Sequence, residues 1–147
     1  MTFIPMNLDE VQEQKPAPKG TYELMITAAK FQESKTGKPM LVATLGFVDQ
    51  EINAPVITHY ISLPFEGDEK ANFKALMLKR FLHAFGVGYS QEGIDVDSLA
   101  LELVGQVANL EVGFTDPNDS GDVYNNIRVP RLRDEPVRAS AGSRKRR

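Results

Sequence analysis

The spacing of the apolar residues changes twice along the chain, and this change restricts the fold more than any other feature. Alternation between two faces predicts three β-strands, over residues 21–31, 40–48 and 56–63. Residues 68–85 instead repeat every three to four positions, which predicts a helix with one apolar stripe. Alternation then returns and predicts a fourth and a fifth strand, over residues 106–114 and 123–130.

The order of these elements indicates the architecture. Three strands are followed by a helix and two more strands, with a short second helix predicted over residues 95–104. Five strands with a helix between the third and the fourth are the plan of the OB-fold, a Greek-key barrel. We therefore predict a mostly-β, OB-fold-like barrel; a β-sandwich with one helical insertion is the alternative.

The length of 147 residues suits one domain with two extensions. Residues 1–19 form an N-terminal arm, since Pro16 and Pro18 interrupt regular structure. For residues 1–8, which hold the apolar Phe3, Ile4, Met6 and Leu8, a strap over the chain's own core is favoured over a partner-binding arm. Residues 20–132 hold the predicted barrel. Residues 133–147 are rich in Ser, Ala, Gly and Arg, so we expect a flexible basic tail.

The net charge of −3 hides a strong asymmetry. Residues 128–147 carry eight Lys and Arg and two acids, whereas residues 1–127 carry nine bases and eighteen acids. A basic tail on an acidic body indicates either a polyanionic partner for the tail or contact between the tail and the body.

Several function classes find no support in the residues. The chain has no cysteine, no apolar run of about 20 residues and no basic N-terminal signal, so we expect a cytoplasmic protein without membrane contact. It has two histidines and no phosphate-binding or nucleophile motif, so we expect neither an enzyme nor a cofactor or metal. The segment Asp116–Asp122 superficially resembles a calcium loop, but it joins two predicted strands and is interpreted as a turn.

A binding surface is the remaining interpretation. Aromatic side chains that stack on bases, together with basic side chains near phosphates, are typical of single-strand binders. The outward register predicts a common platform made of Phe31, Lys35, Lys38, Tyr60, Tyr124 and Arg128. Phe31 belongs to it because strict alternation sets it opposite the face of Ile26 and Ala28. For each residue alone a structural role is an equal alternative, such as cross-strand packing of a tyrosine. The helix aromatics, including Phe73, are assigned to the core stripe.

The chain resembles phage-encoded single-stranded-DNA-binding proteins. The resemblance rests on the order and spacing of several stretches: Pro18–Tyr22, Ser34–Leu41, Leu78–Gly86, Leu103–Gln106 and Tyr124–Arg128. It implies non-sequence-specific binding of single-stranded DNA in phage replication or recombination, in the host cytoplasm, with replication or recombination proteins as further partners. Many such proteins end in an acidic tail, whereas this chain ends in a basic one, which suggests that the tail touches DNA.

Two other functions remain open at this point. A non-catalytic adaptor or virion component would use the same barrel to bind protein. A nuclease would need a metal site, for which the sequence offers no clear ligands. Oligomeric state cannot be inferred from the residues.

Overall fold

A computed structural model describes residues 2–132. The predicted tail over residues 133–147 lies outside this part of the chain. The main elements, in chain order, are β1 (Gly20–Glu33), β2 (Pro39–Phe47), β3 (Ile57–Ser62), α1 (Ala71–Ala84), α2 (Val96–Leu103), β4 (Val107–Phe114) and β5 (Asn125–Arg128). A single 3-10 turn, Leu8–Glu10, lies in the N-terminal arm. No helix within residues 2–132 is long and apolar enough to cross a bilayer.

The five strands form one antiparallel sheet in the order β3-β2-β1-β4-β5. The long strand β1 makes this possible, because its first part pairs with β4 and its later part pairs with β2. The two edge strands, β3 and β5, approach each other and line the same groove. The sheet therefore curls into a nearly closed barrel, with α1 between β3 and β4 in the chain. The predicted mostly-β, OB-like fold is confirmed.

A β-bulge in β1 changes which side chains face the core. The pairing of β1 with β2 shifts between Ile26 and Ala28. Beyond this point Ala29, not Ala28, packs against the core, because one extra residue reverses the alternation. Phe31 then pairs with the buried Leu41, on the inner side of the sheet. The predictions that Ala28 faces inward and Phe31 faces outward are therefore wrong.

The helix α1 closes one side of the barrel through Phe81, which is fully buried. The Phe81 ring stacks on His59 of β3 with centroids 5.4 Å apart, and lies 5.0 Å from the ring of Phe85. The helix stops at Gly86, whose φ of 69° is easily adopted only by glycine. Phe73, predicted in the core stripe, is instead 60% exposed, because it lies on the helix face turned away from the barrel interior.

One part of the N-terminal arm packs against the barrel, and another part is exposed to solvent. Near the barrel it is a strap: Ala17 is buried, and its backbone N–H and C=O both hydrogen-bond to the side chain of Asn125 on β5. The backbone N–H of Lys15 donates to the carbonyl of Asn53, in the loop between β2 and β3. We call residues 15–17, which these contacts hold against the barrel, the strap. Farther out, four apolar side chains are 61–83% exposed, so they do not pack over the core as the interpretation of residues 1–8 predicted: Phe3, Ile4, Met6 and Leu8.

Candidate nucleic-acid interface

A groove runs between the two edge strands of the barrel. Its first part has a volume of about 340 Å³ and lies between the start of β3 and the start of β5. None of the described residues that line it is charged. They are Pro16, Pro55, Val56, Thr58, Tyr60, Thr115, Tyr124, Asn125 and Asn126. We call this first part the neutral segment of the groove.

Tyr60 and Tyr124 both line the neutral segment of the groove. Tyr60 belongs to β3, where Val42 of β2 is its cross-strand partner. Tyr124 precedes β5; its backbone N–H donates to the Thr115 hydroxyl, and its carbonyl accepts from the Thr115 N–H. The two rings are 61% and 55% exposed, so their faces are accessible. Both tyrosines are therefore exposed along one groove.

The groove continues past Tyr60 into a second part, of about 320 Å³. Tyr60 lines both parts, which makes them one path along β3. The opposite wall comes from α1 and from the end of β5. The lining residues are His59, Tyr60, Ile61, Ser62, Phe73, Lys74, Met77, Arg80, Ile127 and Val129. We call this second part the basic segment.

The basic segment contains residues that sequence reasoning missed. The sequence predicts Phe73 and Met77 in the apolar stripe of α1 and Arg80 among the basic residues near the C-terminal end of this helix. Their spacing of four and then three residues sets them on a single helix face. An arginine and an aromatic residue on one helix face were the signal available in the sequence. The spacing within α1 does not predict that this face lies next to β3.

The two cations of the basic segment have different surroundings. Lys74 Nζ lies 2.7 Å from Asp68 Oδ2 and 4.6 Å from the centre of the Phe65 ring. The hydrogen bond from Lys74 lowers the pKa of the Asp68 carboxyl, so the pair stays ionised. The charge of Lys74 is therefore matched within the protein. Arg80 has no such acid, and its Nε is buried without a hydrogen-bond partner among the described residues.

His59 is a packed side chain in this arrangement. Its ring stacks on Phe81 at an interplanar angle of 15°, and burial lowers its pKa below the usual value of 6.5. The ring is therefore neutral near pH 7. Within residues 2–132, no three His, Asp or Glu side chains are grouped so as to hold a metal ion.

The other predicted site residues do not line this groove. Phe31 lines a separate apolar groove of about 580 Å³ next to α1, with Leu63, Leu82 and Tyr89. Because of the bulge in β1, it cannot share a surface with Tyr60 and Tyr124. The predicted platform of three aromatic residues therefore reduces to the two tyrosines.

The predicted basic residues are also spread out. Lys35 and Lys38 are exposed at the turn between β1 and β2, and Lys38 Nζ lies 5.6 Å from the centre of the Phe65 ring. Arg128 is exposed on β5, as its register predicted, but it forms an ion pair of 3.6 Å with Glu111 of β4. Neither the turn lysines nor Arg128 lines the neutral or the basic segment.

The hairpin between β4 and β5 ends next to Tyr124. The side chain of Asn118 accepts hydrogen bonds from the backbone N–H groups of Ser120 and Asp122, which closes a tight turn. The segment Asp116–Asp122 is thus a turn, as interpreted from the sequence. None of its acids lines the groove, so they do not place negative charge within it.

Comparison with known proteins finds a matching family. No curated protein matches the chain. The model of one family, described as a protein of unknown function (DUF669), matches residues 5–140. This match spans the strap, the whole barrel and both sides of the groove. The chain therefore belongs to the DUF669 family.

Proposed function

We propose that the protein binds single-stranded DNA without sequence preference, in the groove between β3 and β5. The observation that carries this proposal is the pair of exposed tyrosines, Tyr60 and Tyr124, that line one groove. Stacking on an aromatic side chain contributes about 1–3 kcal/mol per base and needs an unpaired base. A groove without charged lining between two tyrosines suits bases better than it suits phosphates.

The acidic body supports selectivity for single strands. Residues 1–127 carry twice as many acids as bases, so duplex DNA gains little from non-specific contact with this part of the chain. Binding then depends on stacking in the groove and on a few local cations. The basic C-terminal residues 128–147 supply further phosphate contacts in this proposal. Truncation before Asp134 should therefore weaken binding at low salt.

The biological setting follows from the resemblance to phage single-stranded-DNA-binding proteins. In this proposal the protein is not an enzyme and needs no cofactor. It covers single strands during phage replication or recombination in the host cytoplasm, and replication or recombination proteins are its further partners. A protective role of this kind requires affinity without sequence choice, which base stacking provides.

Fluorescence anisotropy with labelled oligo-dT, against a duplex of equal length, tests the proposal. Tyr60→Ala and Tyr124→Ala should each weaken single-strand binding about 5- to 150-fold, since each removes one stacking surface. Tyr89→Ala is the matched control, because Tyr89 is also exposed but lines the other groove. Equal affinity for duplex, no binding at low salt, or an equal loss in the control variant would refute the proposal.

An adaptor function is the second candidate, and one observation favours it. The apolar side chains of residues 3–8 are largely exposed, as proteins often show where they meet a partner. Deletion of residues 2–11 should abolish partner capture and leave oligo-dT binding unchanged if the arm serves such a role. Loss of oligo-dT binding after this deletion would instead assign the arm to the DNA site.

A further inference from the structure

We propose that Arg80 binds a backbone phosphate of the strand, at the step beyond Tyr60. This inference rests on the proposed function, because it extends the strand from the neutral segment into the basic segment. The proposed function defines the site only by the stacking of bases on tyrosines. This inference adds Arg80 as a contact, the phosphodiester as its ligand, and the direction of the strand along β3.

The position of Arg80 follows from the packing of its neighbour. Phe81 is held against His59 by ring stacking, and Tyr60 is the next residue on β3. Tyr60 and Arg80 are thus the chain neighbours of the two stacked residues, and both line the basic segment of the groove. A nucleotide whose base lies on Tyr60 would bring its phosphate toward the wall formed by α1.

Among residues 2–132, no acid forms an ion pair with Arg80. The neighbouring Lys74 is instead paired with Asp68. Arg131 lines a small cavity together with Arg80, so a second cation lies beside it rather than an acid. The Arg80 Nε is buried and has no hydrogen-bond partner among residues 2–132, which leaves the guanidinium only partly satisfied by this part of the chain.

A phosphodiester fits this requirement. The planar guanidinium offers several N–H donors in a fixed geometry that matches phosphate oxygens. The hydroxyl of Ser62 lines the same segment and adds a neutral donor. The wall opposite Tyr60 also holds the exposed ring of Phe73, so a base next to this phosphate meets an aromatic face.

Salt dependence of oligo-dT binding tests the inference directly. Each phosphate contact adds about 0.7 to the slope of log affinity against log salt for single strands. Arg80→Met should therefore lower the slope by about 0.7 and weaken binding about 10-fold at low salt. Lys79→Met is the matched control, because Lys79 is the preceding residue on α1 but lines the other groove, and it should leave the slope unchanged.

Two further measurements separate a binding role from a structural one. The melting temperature of free Arg80→Met should equal or exceed that of the wild type, since the variant removes a charge that no acid among residues 2–132 pairs. Arg80→Lys should keep the salt slope but bind more weakly than the wild type, since it retains the charge without the planar donor geometry. A lower melting temperature of Arg80→Met with an unchanged salt slope would overturn the inference in favour of a structural role.

The outcome distinguishes this inference from the proposed function. If Tyr60→Ala weakens binding and Arg80→Met changes neither the affinity nor the slope, the stacking site stands and the Arg80 assignment is wrong. If the wild type fails to bind oligo-dT at low salt, the proposed function fails and the assignment fails with it.

Discussion

Asn125 fixes the N-terminal strap to the barrel, and its removal has a calculable effect. The side chain makes three hydrogen bonds: it accepts from the Ala17 N–H at 2.7 Å and donates to the carbonyls of Ala17 and Gly113 at 3.0 and 3.1 Å. Each bond contributes about 0.5–1.5 kcal/mol net, and a buried group left unpaired costs about 1–3 kcal/mol. We expect Asn125→Ala to lower the free energy of unfolding by about 2–4 kcal/mol.

Urea denaturation followed by circular dichroism measures this loss. In a chain of this size, 1 kcal/mol shifts the melting temperature by about 2–4 °C, so a fall of about 4–16 °C should accompany the loss of about 2–4 kcal/mol. Asn126→Ala is the matched control: this neighbouring side chain is exposed and makes one hydrogen bond of 3.4 Å, to Phe114. We expect a change within about 0.5 kcal/mol for the control.

The chemistry of the side chain gives a second comparison. Asn125→Asp keeps the acceptor for the Ala17 N–H but turns a carboxylate oxygen toward the carbonyls of Ala17 and Gly113, so at pH 7 it should be no more stable than Asn125→Ala. If Asn125→Ala stays within about 0.5 kcal/mol of the wild type with an unchanged denaturant slope, the strap does not hold the barrel in the way that these contacts imply.

Two further variants test local features. Burial lowers the pKa of His59, so the unfolded state takes up a proton that the folded state resists, and stability should fall as the pH drops below about 6.5. His59→Phe should lack this part of the pH dependence in urea titrations, and an identical pH profile would contradict the argument. Gly86→Ala should cost about 1–2 kcal/mol, because φ at this position is 69°; Gly88→Ala, with open space and no positive φ, is its thermal-denaturation control.

The element order was predictable from the sequence because it depends on local spacing. Alternation in β3 and the helical repeat of α1 reflect residues only a few positions apart. The bulge in β1 was not predictable for the same reason. Around it the chain reads Thr27-Ala28-Ala29, and two adjacent alanines fit either face of a sheet equally well. The true register is set elsewhere: the backbone N–H of Ile26 donates to Gln106, and the Ile26 carbonyl accepts from Gly105.

The candidate site was predictable only in part, and for a related reason. Alternation placed Tyr60 and Tyr124 outward, and both are exposed: Tyr60 lies on the short strand β3 and Tyr124 directly precedes β5. Phe31 was misplaced because its orientation depends on the bulge five residues earlier. Arg80 and Phe73 were missed because their role requires that α1 lie beside β3 and β5, a contact between segments far apart in the chain.

The incomplete closure of the barrel links the strap to the proposed site. β3 and β5 are the edges of the sheet, and exposed edges invite pairing with other chains. Two prolines lie at the gap between β3 and β5. Pro55 precedes β3, and Pro16 belongs to the strap that Asn125 holds. Neither proline can donate a backbone hydrogen bond, so the gap resists a further strand while its tyrosines stay exposed. A protein that binds bases needs both an open groove and protected sheet edges. A fully closed barrel would leave no groove, and an edge without prolines would favour aggregation.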